Sequence, residues 1–302
     1  MKYLSFTLTI LASLLTAPLL ERAHTHELNF KPVPEFIQLP DTITLDACTG
    51  VGVNSQGEVF LLHRGKQPVI CLDAEGKYLR SWGDDVIATA HGLRIDSDDN
   101  VWVTDIENHQ VFKFDSDGTI LMAWGKAGQA GDAIDEFNKP TDVAFGPQGE
   151  VYVSDGYGNN RVVKFTPNGG YLSHWGEAGT GPGQFNTPHS ITVDSRGRVI
   201  LGDRENDRIQ VFDSGGKLLE IWEGFAPFGL AYDSQGHLFV ADGRANKVLC
   251  LNDRGRVIGS WGSEGAQPGQ FQLPHMLTTD SQGSIIVAEI LGKRFQKLAR
   301  RQ

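Results

Sequence analysis

From about residue 45 to the end, short runs of alternating apolar and polar residues recur along the chain, and they come in pairs. The six segments TGVGVNSQGEVFLLHRG, HGLRIDSDDNVWVTDIE, TDVAFGPQGEVYVSDGY, HSITVDSRGRVILGDRE, FGLAYDSQGHLFVADGR and HMLTTDSQGSIIVAEIL align on the turn after their first run. Each shows a β-type run, a polar turn bearing Gly or Asp, and a second run of period two, which is the pattern of a hairpin. A second pair follows in each unit, as in RVVKFTPNGGYLSHWG, so each unit is predicted to hold four strands. WG or WEG marks close the units at Trp82, Trp124, Trp175, Trp222 and Trp261.

Four-stranded units repeating every 40 to 50 residues or so are the signature of β-propeller blades. The expected fold is therefore all-β, a six-bladed β-propeller. The sixth unit ends at RFQKLARRQ without a closing WG strand, whereas an extended segment, FKPVPEFIQL (30–39), precedes the first unit. That segment is predicted to supply the missing outer strand and close the ring, which protects the sheet edges that an open array would expose. Residues 24–302 then form a single propeller domain with no helix. The stretch before them opens MKYLSFTLTILASLLTAPLL, with one early lysine, an apolar run and small residues near Ala17. Residues 1–23 therefore read as a secretory leader, and the protein is expected to be exported, to the periplasm or the medium. An uncleaved membrane anchor is the alternative. No other segment is long and apolar enough to span a bilayer.

Charge and cysteine content narrow the classes further. The formal net charge is -10 and Lys/Arg runs are absent, which excludes nucleic-acid binding through phosphate neutralisation. The three cysteines, Cys48, Cys71 and Cys250, are odd in number and widely spaced. They read as small buried hydrophobes rather than a metal knuckle, with one disulfide left open. Nothing in the pattern calls for a second copy, and a monomer is expected.

The first residue of each aligned unit forms a column: Thr49, His91, Thr141, His189, Phe228 and His275. First strands line the channel of a propeller, so this column is a ring at one height. Histidines at alternate positions of a six-membered ring converge on the axis from three sides. Three neutral nitrogens with an open fourth position suit a catalytic zinc. One such histidine alone reads more readily as a hydrogen-bonded channel residue; three in one column on alternate blades do not. His63 and His109 stand outside the column, and His24 and His26 lie near the leader.

Fourteen residues after each head the chain returns to the same face, at His63, Asp105, Asp155, Asp203, Asp242 and Glu289. These carboxylates are expected to accept backbone N–H groups in the turns. The next column brings Arg64 in blade one and Arg204 in blade four, with Tyr157 one position further in blade three. All three are expected to rim the metal face. Arginine grips carboxylates with two parallel hydrogen bonds, zinc polarises an oxygen, and a phenol beside positive charge can serve as a base. The set suits a small anionic substrate.

The stretches HGLRID, PTDVAFGPQGEVYVSDGYGNNRVVKF, PHSITV, GDRENDRIQVF and FQLPH resemble the lyase domain of peptidylglycine α-amidating enzymes, a six-bladed propeller with NHL-type repeats. The resemblance runs from about residue 45 to 300. It implies cleavage of a peptidyl-α-hydroxyglycine to a peptide amide and glyoxylate. It also implies His91, His189 and His275 as zinc ligands, Tyr157 as the base, and Arg64 and Arg204 around the substrate carboxylate and hydroxyl. The family's structural calcium would use the backbone carbonyls of Val51 and Leu93 and an aspartate directly after the third zinc histidine. Here that residue is Met276, and a thioether is a poor calcium ligand, so calcium is not expected to bind firmly. The family's cysteine after the catalytic tyrosine is replaced by Gly158. The copper monooxygenase that makes the hydroxyglycine finds no room in 302 residues, which implies a separate supplier or a related N-acyl hemiaminal carboxylate as substrate. Two other classes compete: a non-catalytic propeller presenting its rim to a partner or small ligand, and a lactonase-type hydrolase. The latter uses acidic and amide ligands around calcium, which the histidine column does not match.

Overall fold

The computed structural model describes residues 26–301; residues 1–23, expected to be a leader, lie outside them. The chain forms six antiparallel sheets arranged as propeller blades. The inner strands are Cys48–Val53, Ala90–Ile95, Asp142–Phe145, Pro188–Val193, Pro227–Tyr232 and Pro274–Thr279. Each packs against the inner strands of the blades on either side, which closes the ring. One three-residue 3-10 turn, Arg204–Asn206, is the sole helical element among the described residues.

Closure follows the expected route, with a shorter strand. Phe30–Val33 pairs antiparallel with Arg294–Arg300 as the outer strand of blade six. The chain then leaves that sheet. Gln38 bridges to Lys77 on blade one, so the segment 30–39 straps two blades together rather than forming one long strand. Upstream, His26–Glu27 adds in parallel to Val257–Trp261 as a fifth strand on blade five, which the sequence pattern did not suggest.

Alternation explains why the blades stack. Both faces of the middle strands are buried, and their side chains interdigitate with the next blade in separate apolar clusters. One cluster joins Trp102 and Val111 of blade two to Val143, Val153 and Phe165 of blade three. The closing tryptophans belong to these seams: Trp82 meets Phe60 of its own blade and Phe114 of the next edge-on, a favoured aromatic geometry. Cys48, Cys71 and Cys250 are buried free thiols, and burial pushes Cys71 up to about 12 and Cys250 to about 11.

The inner strands share an irregularity that positions the site. In blade four Pro188 faces Asp203 and Ser190 faces Gly202, so His189 is an extra residue in the ladder. The same register shift occurs at Thr49, His91, Phe228 and His275. A β-bulge leaves its extra residue unpaired and bends the strand, which re-aims the side chain. Five of the six column heads, the three histidines among them, therefore lie at bulges, released from the sheet and turned to the axis; Thr141 sits on a regular ladder.

Candidate metal centre and catalytic rim

His91, His189 and His275 converge as the column requires. Their ring centroids are 4.7, 4.9 and 4.7 Å apart, close to threefold symmetry, and the three side chains are essentially buried. One ring nitrogen from each lies within 4.8 Å of the others, and this is the one such group of His, Cys, Asp or Glu among the described residues.

The intervening heads supply the orienting groups. His91 Nδ1 is 2.7 Å from the Thr141 carbonyl, His189 Nδ1 is 2.6 Å from that of Phe228, and His275 Nδ1 is 2.6 Å from that of Thr49. A carbonyl only accepts, so each Nδ1 carries the proton and each Nε2 presents a lone pair. Such outer hydrogen bonds fix tautomer and ring orientation in metal-binding histidines. Gly92 makes one of them accessible: a Cβ there would meet the Thr141 carbonyl at 2.5 Å.

The rings are held neutral. Burial, first of all, sets His91 well below the usual imidazole range, and His275 and the Arg64 and Arg204 charges add to this. Burial and then Arg204 do the same to His189. Burial lowers His275 to about 3. The 3.2 Å approach of His91 Nε2 to His189 Nε2 is therefore a contact between two lone pairs, with no proton to share. An electron-rich focus of this kind is stabilised by a cation, and three imidazole nitrogens suit zinc, with about 2.0–2.1 Å bonds. The residues present fit the metal.

Tyr157 stands over the open side. Its Oη lies 3.0 Å from His91 Nε2 and 3.1 Å from His189 Nε2. Arg204 Nη1 donates to the same oxygen at 3.2 Å, and its guanidinium stacks over the Tyr157 and Phe228 rings. Glu205 takes part of that charge through Arg204 Nε at 2.8 Å and is itself paired to Arg244 at 2.5 Å. Gly156 lets the turn approach blade four, since a Cβ there would run into the Pro188 carbonyl.

Arg64 differs. It is exposed, donates from Nε to the Ala90 carbonyl at 3.1 Å, and has no carboxylate partner among the described residues. Its terminal nitrogens make no hydrogen bond among the described residues. The structure thus gathers Tyr157, Arg204 and the three histidines by direct contact, while Arg64 stands beside them, anchored next to His91.

The returning column is structural as its chemistry suggested. Asp105 accepts the amides of Ala88 and Thr89 at 2.7 and 3.0 Å. Asp155, Asp203 and Glu289 are buried against Arg161, Arg208 and Arg294. Each arginine also holds carbonyls of the loop leading into the inner strand of its own blade, as Arg208 does with Thr180, Gly181 and Gln184. His63 is buried; its Nδ1 accepts the Asp46 amide and its Nε2 faces Gln67. Val51 and Leu93 are buried in inner strands. Met276, equally buried, offers no oxygen, and the acid at the equivalent place in blade three, Asp142, already has both oxygens held.

Sequence reading missed the three orienting carbonyls. The alternation of histidine with non-histidine heads was the one signal that pointed to them.

The NHL repeat family matches residues 88–114, 137–165 and 185–212. The NHL repeat-containing protein 3 of Mus musculus is 33% identical over 270 residues, 82% of this chain and 78% of that protein. The peptidyl-glycine alpha-amidating monooxygenase A of Xenopus laevis is 40% identical over 233 residues, 72% of this chain. The aligned part makes up 25% of that protein, so the chain corresponds to about a quarter of it. The peptidyl-alpha-hydroxyglycine alpha-amidating lyase 1 of Drosophila melanogaster is 28% identical over 320 residues, 86% of this chain and 58% of that protein.

Proposed function

The chain belongs to the NHL-repeat family, and from that premise, with the histidine triad and its tyrosine, we propose that it is a zinc-dependent carbon–nitrogen lyase. Its substrate would be a peptidyl-α-hydroxyglycine or a related N-acyl hemiaminal carboxylate, and its products an amide and glyoxylate. The observation that carries this reading is the place of Tyr157 Oη, in reach of two triad nitrogens and of Arg204 at once. A scaffold that only presents its rim to a partner has no use for a phenol aimed at two bare nitrogens of a histidine triad.

His91, His189 and His275 would hold the metal through Nε2. When bound there, zinc supplies Lewis acidity toward an oxygen donor. The unshared nitrogens of Arg64 bind the substrate carboxylate in parallel hydrogen bonds. This places the carbinol carbon near Tyr157. Tyr157 Oη, deprotonated, accepts the proton of the substrate hydroxyl. The electron pair left on that oxygen forms the second bond of a carbonyl, the C–N pair leaves with the amide nitrogen, and the proton passes to that nitrogen. Atoms and electrons balance without water or a redox partner. Arg204 offsets the negative charge on Oη while the tyrosine lacks its proton. The hydroxylated substrate requires a prior oxygen insertion at a glycine Cα, the work of a monooxygenase. A peptide, rather than a free small acid, is favoured by the names of the relatives.

The non-catalytic alternative draws on the mouse relative, whose name carries no activity. Incubation of the zinc-loaded protein with a synthetic peptidyl-α-hydroxyglycine, with glyoxylate as the readout, separates the two. Glyoxylate release above the uncatalysed rate supports the lyase; its absence leaves the binding scaffold.

A further inference from the structure

Next to the triad lies a second, fully bonded cluster on the same inner strands. Arg94 Nε and Nη2 grip Asp142 Oδ1 and Oδ2 at 2.9 and 2.6 Å. Ser190 Oγ donates to Asp142 Oδ2 at 2.8 Å and also accepts from Arg94 Nη2 at 3.1 Å. The amides of Val143 and Ile191 complete the shell of Asp142, and the Leu230 amide donates to Ser190 Oγ at 3.1 Å. The Asp142 side chain is 0% exposed and that of Arg94 14%.

The cluster ties together the inner strands of blades two, three, four and five, and each contact sits beside a part of the metal centre. Arg94 follows His91 by three residues. Asp142 directly follows Thr141, whose carbonyl orients His91. Ser190 directly follows His189. Leu230 lies two residues past Phe228, whose carbonyl orients His189. Blades one and six, on the other side, carry no counterpart: their residues equivalent to Asp142 are Gly50 and Met276, and those equivalent to Arg94 are Gly52 and Thr278. A bidentate arginine–carboxylate pair is geometrically specific. At a buried site it defines the separation of the strands that bear it. Bulge residues such as His91 and His189 lack the ladder bonds that would otherwise hold them.

We infer that Arg94, Asp142 and Ser190 are positioning residues that set the separation of His91 and His189, and thereby the affinity and geometry of the metal site. The inference rests on the reading of the triad as a metal centre. Outer groups that orient ligands contribute roughly 10- to 100-fold to metal affinity, and that is the loss expected on breaking this cluster.

The test uses the full chain, stripped and titrated with zinc against a chromophoric chelator. Cobalt(II) is loaded in parallel and its visible spectrum read as a report of ligand geometry. Arg94→Met breaks the pair. Ser190→Ala removes only the hydroxyl that links Asp142 to blade five, leaves the ion pair intact, and serves where the first variant fails to fold. Arg80→Met, which removes an arginine on the outer strand of blade one that pairs with Glu58, is the control. The inference expects weaker zinc binding and an altered cobalt spectrum for Arg94→Met and Ser190→Ala, and neither for Arg80→Met. Wild-type zinc affinity and cobalt spectrum in Ser190→Ala and in folded Arg94→Met overturn it, even if melting temperatures fall. Absence of zinc and cobalt binding in the wild-type protein overturns the metal reading itself, and this inference with it.

Discussion

His275 Nδ1 lies 2.6 Å from the carbonyl oxygen of Thr49, so the last inner strand of the ring completes its ligand geometry on the first. The propeller must therefore close before the third nitrogen is aimed. A metal held by all three nitrogens would be coupled to ring closure, since a ligand that binds the closed state alone stabilises it by mass action.

His91→Ala, His189→Ala and His275→Ala should each lose zinc. Two nitrogens rarely hold a catalytic zinc without a third protein ligand. Metal analysis of the three purified variants checks this, and full occupancy in all three would sink the assignment.

Tyr157→Phe should keep zinc and substrate binding and turn over about 100- to 10,000-fold more slowly, the usual range for loss of a positioned proton acceptor. The ring sits edge-on to His91 and His189, and Phe retains that packing. Single-turnover rates on a hydroxyglycine peptide decide it. A near wild-type rate makes Tyr157 a packing residue of the turn.

The two arginines should separate kinetically. Arg64, with free terminal nitrogens, is proposed to bind the substrate carboxylate, so Arg64→Ala should raise KM most strongly. Arg204 touches Tyr157 Oη, so Arg204→Ala should lower kcat with a smaller change in KM. The opposite pattern in steady-state kinetics would exchange their roles.

A calcium-selective chelator should leave the melting temperature of the zinc-loaded protein unchanged. Met276 contributes no oxygen, and Asp142 is committed to Arg94, Ser190 and two amides. Backbone carbonyls and water alone make a weak calcium site. A fall of several degrees with zinc retained contradicts this.

Arg208→Met should destabilise the fold by about 3–5 kcal/mol, the usual result of removing one partner of a buried ion pair. Arg208 Nε is 2.7 Å from Asp203, whose side chain is 0% exposed, and its other nitrogens hold the loop carbonyls of Thr180, Gly181 and Gln184. Urea unfolding followed by tryptophan fluorescence measures it; a change below 1 kcal/mol, in the range of exposed pairs, refutes the structural role.

The blade count, the strand pattern and the histidine column were open to reading in the chain, because equivalent positions of a repeat fall at equivalent places in every blade. His91, His189 and His275 needed only the alignment and the knowledge that first strands face the axis. Arg64, Arg204 and Tyr157 followed from the return of the hairpin to the same end. What only the tertiary structure decided depends on groups that carry no residue identity or on partners far apart in the chain. The carbonyls of Thr141, Phe228 and Thr49 orient the triad whatever side chains those residues bear. The contacts they make span 50, 39 and 226 positions. Arg94, Asp142 and Ser190 look like ordinary strand residues until three blades bring them together. The bulge at each histidine head was hidden for a similar reason: it is a mismatch between two strands, and a periodic pattern within one strand does not record it.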